Sequence, residues 1–129
     1  MMSFKCSNKV RVMKKSGNIV QNKSFEFALT VIELYRELQA NKEFDISRQL
    51  LRSGTSIGAN VEEAIAAYSK RDFLHKMSIA SKEGRETSYW LRLIKAGNLI
   101  EVPDHNFSDI NEINSILTSI VKTTSESLK

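Results

Sequence analysis

Three cations and one aromatic residue are spaced by three, four and three positions in the middle of the chain: Lys82, Arg85, Tyr89 and Arg92. This spacing places all four side chains on one side of an α-helix. Cations neutralise phosphates and a flat ring stacks on a base, so the pattern is typical of a surface that binds nucleic acid. The alternative is a solvated face whose long cationic side chains lie over their neighbours.

Positive charge is concentrated in two parts of the chain. Lys70 and Arg71 begin the same predicted helix, and residues 48–95 as a whole carry nine basic and five acidic residues. The segments on either side of this central region, residues 24–47 and 96–129, are each net acidic. Residues 1–23 hold six cations and no acid, although the net charge of the protein is only +4. We therefore expect an anionic partner, RNA or DNA, at the N-terminal region or the central helices.

A stripe of small and hydrogen-bonding residues follows the preceding predicted helix: Ser53, Ser56, Asn60 and Glu63. Their spacing places them beside the apolar face of that helix. One interpretation is that they form hydrogen bonds within the fold or between subunits. The other is that Arg52, Asn60 and Glu63 line a cleft for a small molecule. The first is favoured because none of these residues is a good nucleophile or base by itself.

Close contacts between helices are predicted at two places. Gly54 and Gly58 lie four residues apart within one helix, where each glycine costs about 1 kcal/mol relative to alanine. A tight helix crossing explains them better than a ligand that approaches the backbone. Glu83 and Glu86 lie three residues apart on the next helix, and we expect them to neutralise Arg52 rather than to act as paired catalytic acids.

Residues for catalysis or metal binding are sparse. The one cysteine, Cys6, lies near the N-terminus, and the histidines are His75 and His105. Asp72 and His75 have the spacing of half a helical metal site, but the sequence has no second copy of that pair. No phosphate-binding glycine-rich loop is present. The sequence therefore predicts a protein that is not an enzyme and that uses no cofactor or metal.

Apolar periodicity predicts four helices. We expect them over about residues 22–39, 44–68 and 69–97, and from Asp104 onward, with Asp45 capping the second helix. Ser69 caps the third helix, Gly97 ends it, and Pro103 precedes the fourth. Because the connections are short, the predicted fold is all-α, an antiparallel up-down-up-down four-helix bundle.

The bundle is predicted to comprise residues 24–129, preceded by a mobile basic arm of residues 1–23. Met13 precedes Lys14-Lys15-Ser16-Gly17-Asn18-Ile19, and the proteins that this chain resembles tend to begin close to this point. We therefore expect translation to start at Met13, which makes residues 1–12 an upstream extension.

The predicted helices carry more apolar surface than one bundle buries. The first has two apolar faces, one with Phe25 and Leu29 and one with Phe27 and Val31, so we expect it to meet at least two neighbours. The third helix has four apolar residues outside its inner seam: Leu74, Ile79, Trp90 and Leu93. This surplus predicts self-association.

Several of these residues also carry a family resemblance: Arg52, Ser53, Ser56, Ile57, Asn60, Val61, Glu63, Asp72, Phe73 and Glu86. In them the chain resembles the four-helix bundle family named after proteins encoded in intervening sequences of 23S rRNA genes, also called S23-ribosomal-protein-like. The resemblance covers about residues 23–122 and departs at Ala64, where many relatives have glycine. It implies the bundle fold and a ring-like homopentamer, but no settled reaction. Some relatives are accessory proteins that bind a reverse transcriptase and nucleic acid.

Together these patterns predict a non-enzymatic homo-oligomer that binds nucleic acid, in particular RNA, with little base specificity. The alternative is a structural or protein-binding adaptor, such as a reverse-transcriptase accessory protein, that does not bind nucleic acid itself. A single cysteine forms no internal disulfide, and no run of about 18 apolar residues exists. We therefore expect a cytoplasmic protein that does not cross a membrane.

Overall fold

The computed structural model describes residues 15–129, with side chains from Asn18 onward. This part of the chain forms four helices: α1 Lys15–Ala40, α2 Phe44–Ile65, α3 Lys70–Ala96 and α4 Asp104–Ser127. Both α1 and α3 pack against α2 and α4, whereas the backbones of the diagonal pairs of described helices do not approach each other closely. The helices therefore form a four-membered bundle in chain order.

Neighbouring helices run in opposite directions. Gln39 near the end of α1 donates to Ser47 near the start of α2, at 2.9 Å. Gln21 near the start of α1 bonds to Glu62 near the end of α2. Glu63 near the end of α2 pairs with Lys76 near the start of α3, and Lys95 at the end of α3 pairs with Asp104 at the start of α4. The predicted antiparallel up-down-up-down bundle is thus confirmed.

One apolar stripe from each helix forms the core. Burying each of these larger side chains contributes roughly 1.5–3 kcal/mol relative to exposing it. The largest fully buried side chains are Leu38, Leu50, Ile57, Met77, Leu91, Ile94, Ile110, Ile113 and Leu117, and Phe27 is buried beside them with 2% exposure. The core extends along the whole bundle, which makes the helices a rigid support for their outer faces.

The first helix begins earlier than its apolar pattern predicts. α1 starts at Lys15, seven residues before the earliest predicted start, and Val20 is fully buried. Residues 15–23 therefore belong to a helix where the sequence predicts an arm. Val20 is the only buried residue among residues 18–23, and one buried position does not produce a helical period in the sequence. The remainder of the predicted arm, including Cys6 and the predicted start at Met13, lies outside the described residues.

Helix caps agree with the sequence at α3 and differ at α2. The Ser69 hydroxyl accepts a hydrogen bond of 3.0 Å from the backbone N–H of Asp72, as predicted. α2 begins without a side-chain cap. Asp45, the predicted cap, lies in the first turn of α2 and binds Arg48 at 2.9 Å instead. There its negative charge still faces the positive end of the helix dipole.

The two glycines of α2 lie against α1, which confirms the predicted close crossing. A β-carbon added to Gly54 would lie 2.6 Å from Cγ2 of Val31. A β-carbon added to Gly58 would lie 3.4 Å from the hydroxyl oxygen of Ser24, an ordinary contact. A side chain added at Gly54 would therefore clash with the Val31 side chain, whereas one added at Gly58 would not clash.

The surplus apolar surface lies mainly on α1. α1 meets two neighbours, as predicted, but Phe25 and Leu29 face neither and are 66% and 52% exposed. Together with the half-buried Ile32 they form the outer α1 stripe. On α3, Trp90 is half-buried and Leu93 is 40% exposed. The described bundle therefore leaves an apolar stripe of α1 without a packing partner.

Candidate nucleic-acid interface

The α3 cation stripe consists of Lys82, Arg85, Tyr89 and Arg92, and all four side chains are exposed. It extends about 15 Å along the helix, from the rise of 1.5 Å per residue. The guanidinium of Arg92 lies 5.8 Å from the centre of the Tyr89 ring, a cation–π distance. Between residues 18 and 129, Lys82, Arg85 and Arg92 form no ion pair. The stripe therefore presents uncompensated positive charge.

Burial of the opposite side of α3 fixes this orientation. Gly84, Thr87 and Leu91 are buried towards the bundle interior. The ring of Trp90 meets that of Tyr89 edge to face, at 5.1 Å between centroids. Because Trp90 is half-buried, this contact holds the exposed Tyr89 ring against a fixed neighbour.

The other two predicted cations lie at the far end of α3. Arg71 is exposed, eleven residues before Lys82, which corresponds to about 17 Å along the helix. Lys70 lines a depression at the end of the bundle together with Phe73 and Thr124. The structure thus groups four of the six predicted nucleic-acid-binding residues and places Lys70 and Arg71 apart from them.

The carboxylates of α3 are turned towards α2. Arg52 forms ion pairs with both Glu83, at 3.3 Å, and Glu86, as the sequence predicts. Glu86 also accepts a hydrogen bond of 3.1 Å from the indole N–H of Trp90. Arg52 therefore balances half of the negative charge of these two acids and holds both of them on the α2 side, away from the α3 cation stripe.

The polar stripe of α2 bonds mostly to its own helix and to α3. Ser53 is buried, and its hydroxyl oxygen lies 2.9 Å from that of Thr87 on α3. Ser56 donates to the backbone carbonyl of Arg52 at 2.6 Å. Asn60 donates to the carbonyl of Ser56 at 2.8 Å. These three side chains have hydrogen-bonding partners within the subunit.

Glu63, the last residue of the polar stripe, binds the ammonium of Lys76 on α3 at 2.8 Å. The hydrogen bond to Glu63, together with its negative charge, raises the pKa of Lys76 above its ordinary value. Both side chains lie at the solvent-exposed seam between α2 and α3, where such pairs contribute little to stability.

A shallow polar depression lies on α4, on the side of that helix where Asn114 meets α3. Asn114 donates to the backbone carbonyl of Gly84 at 3.2 Å and so joins the two helices at the groove. The α4 side of the groove has no acidic residue: it is lined by Asn111, Asn114, Ser115, Thr118, Ser119 and Lys122. We call this feature the α3–α4 groove.

The α3–α4 groove is not predicted from the sequence, because asparagine, serine and threonine are equally typical of a plain solvated helix face. One signal does exist, since residues 113–125 of α4 contain no acid. The acids that precede this segment, Asp109 and Glu112, line a depression between α4 and α1 instead. There Glu112 pairs with Lys23 at 3.1 Å. Asp109 and Glu112 therefore lie on the α1 side of α4, away from the α3–α4 groove.

Metal ligands are not assembled in the described chain. From residue 15 onward, no three histidine, cysteine, aspartate or glutamate residues are grouped to hold a metal ion. His75 is exposed on α3. None of the four described helices is long and apolar enough to cross a membrane.

Comparison with known proteins agrees with this architecture. The family model described as 23S rRNA-intervening sequence protein matches residues 16–120. A crystal structure of a protein of unknown function from the S23 ribosomal protein family of Bacteroides thetaiotaomicron is 46% identical, with a TM-score of 0.79. The match covers 83% of this chain and 98% of that one. No curated protein matches the sequence. The chain belongs to the 23S rRNA-intervening sequence protein family.

Proposed function

We propose that this protein is not an enzyme, and that it binds RNA through phosphate contacts with little base specificity, as an assembly of several copies. The α3 cation stripe is the observation that carries the proposal. Its three cations are exposed and lack ion pairs with described residues, while Glu83 and Glu86 of the same helix pair with Arg52 on the α2 side. Lysine and arginine that contact phosphates release counterions, which gives affinity without reading sequence.

A ring-like homo-oligomer, such as the homopentamer that the family resemblance implies, is part of this proposal. Three cations on one subunit neutralise few phosphates and give weak binding. Several copies of the stripe on one particle raise the effective concentration of each for the same RNA. The outer α1 stripe supports self-association, because Phe25 and Leu29 expose apolar area that a partner would remove from water.

The outer α1 stripe also favours a second function, that of a structural or protein-binding adaptor without nucleic-acid binding. A different protein could cover Phe25 and Leu29 as well as a second copy does. In that case the cations of α3 only keep the protein soluble. The two functions differ in what they require of the α3 cation stripe.

Binding of a labelled RNA at increasing salt tests the proposal. We expect affinity to fall steeply with salt for the natural sequence. The stripe variant, Lys82→Glu with Arg85→Glu and Arg92→Glu, should bind much more weakly, with the slope of log affinity against log salt reduced by about 2–3. A control variant makes the same charge change at three exposed cations outside the stripe: Arg36→Glu, Lys42→Glu and Lys129→Glu.

The control variant should keep most of the affinity, because charges beyond about 10 Å are screened at ordinary salt. Equal losses in the two variants would show that net charge alone, and not the α3 cation stripe, governs binding. Absence of binding at low salt would remove the RNA function and leave the adaptor.

A further inference from the structure

We infer that the RNA bound by this protein is single-stranded and lies along the α3–α4 groove, with its phosphates on the α3 cation stripe. This rests on the proposed function and specifies both the form of the ligand and its path. The inference depends on the position of the groove, the chemistry of its lining and the exposure of Tyr89.

Because α3 and α4 are antiparallel, the α3–α4 groove lies beside Lys82 and Arg85, and Tyr89 lies just past its Asn111 end. The bond from Asn114 to Gly84 places the groove next to Arg85, the following residue on α3. Ser81 and Ser88, one turn before and after this point, are half-buried. On the other side, Lys122 lines the groove from α4. Cations therefore flank the groove on both helices.

The lining of the groove suits the neutral parts of a nucleotide. Side-chain amides and hydroxyls both donate and accept, as do the ribose 2′-hydroxyl and the base edges. None of the groove residues of α4 is acidic, so the lining does not repel phosphates. From Asn111 to Lys122 the groove is about 17 Å long, enough for about four stacked nucleotides.

Tyr89 distinguishes the two forms of RNA. Its ring is 47% exposed on the stripe, where an unpaired base can stack on it. A duplex keeps its bases paired and presents phosphates and hydroxyls from a rigid surface, so it would contact the stripe but not the groove. We therefore expect single strands to bind more tightly than duplexes.

Binding of an RNA of about 12 nucleotides, measured as a single strand and as a duplex of the same length, tests the inference. Both forms are longer than the roughly four nucleotides that the groove accommodates. The groove variant, Ser115→Leu with Thr118→Leu, fills the groove without a change of charge, and both positions are exposed. The matched control, Ser108→Leu with Thr123→Leu, makes the same change at exposed positions of α4 outside the groove.

The natural sequence should bind the single strand about tenfold more tightly than the duplex, as expected for one stacked base. The groove variant should lose about fivefold or more for the single strand, from lost hydrogen bonds, and less than about twofold for the duplex. Tyr89→Ala should lose about tenfold for the single strand alone. The control variant should change neither affinity.

Equal affinity for the two forms, or a groove variant that leaves single-strand binding unchanged, overturns the inference. The proposed function survives that result if the stripe variant still weakens both forms. A stripe variant that weakens neither form refutes the proposed function itself. A groove variant that weakens both forms equally also overturns the inference, because the groove would then not distinguish single strands.

Discussion

Replacing Gly54 by alanine should destabilise the bundle, whereas the same change at Gly58 should stabilise it. Both glycines lie within α2, and both face α1. The added β-carbon at position 54 would lie 2.6 and 2.8 Å from the two methyl carbons of Val31 and 3.2 Å from its Cβ. Real β-carbons do not approach other carbons so closely, so one helix must move.

Two opposing terms set the magnitude. Alanine is favoured over glycine within a helix by about 1 kcal/mol, and this term is the same at both positions. Overpacking of a core costs about 1–3 kcal/mol. Val31 is fully buried and β-branched, so its methyl groups cannot rotate away cheaply. Gly54→Ala should therefore cost up to about 2 kcal/mol in net unfolding free energy, while Gly58→Ala should gain up to about 1 kcal/mol.

Chemical denaturation followed by circular dichroism measures both free energies of unfolding, at one fixed protein concentration because association shifts apparent stability. The difference between the two alanine variants, about 1–3 kcal/mol, isolates the contact with Val31. In the background of Val31→Ala the methyl groups are absent, so Gly54→Ala should no longer destabilise. A double-mutant cycle thus gives the coupling between positions 31 and 54 directly.

Equal stability changes at Gly54 and Gly58 would refute the reasoning, because the helix term alone would then account for both. A cost at Gly54 that persists in the Val31→Ala background would also refute it. In that case the crossing of α1 and α2 would be limited by the backbones and not by the valine side chain.

Three further predictions concern separate contacts. Ser53→Ala should lower the free energy of unfolding by about 1 kcal/mol, since it removes a buried bond to Thr87; a neutral variant in denaturation would contradict this. The raised pKa of Lys76 means that its ion pair with Glu63 stabilises the fold at pH values below 10.5, the ordinary pKa of lysine. This stabilisation is lost as the pH rises through the higher pKa that Lys76 has in the folded protein. NMR titration should show the Lys76 midpoint moving down in Glu63→Gln, and an unmoved midpoint would exclude Glu63 as the cause. Phe25→Ser should lower the molar mass found by light scattering without unfolding the helices, because this side chain is 66% exposed in the subunit; an unchanged assembly would place the subunit contact elsewhere.

The sequence by itself determined the four helices and most of their ends. Ser69 marks the start of α3 through a side-chain cap, and α3 ends at Gly97 as predicted, although the residue with left-handed backbone there is Asn98, at φ 55°, and not the glycine. The bundle topology followed from short connections, which leave antiparallel packing as the simplest arrangement. The pairing of Arg52 with Glu83 and Glu86 could also be expected, because two acids on one helix face need a neighbouring cation.

Only the tertiary structure decided which apolar face of α1 is buried. The stripes of Phe25 and Phe27 are both apolar, and packing on α2 and α4 buries the second while leaving the first exposed. Hydrophobic periodicity records that a face is apolar, not whether a neighbour covers it. The early start of α1 could not be predicted for a related reason. Val20 is a core residue only because the surrounding helices bury it in the folded bundle.

The α3–α4 groove likewise exists only in the folded bundle. Asn111 and Thr118 are ordinary surface residues in the sequence, and their position beside Arg85 depends on how α4 is rotated against α3. Local sequence sets the composition of each helix face. The distance between two faces on different helices depends on the packing of the whole core, which no local pattern encodes.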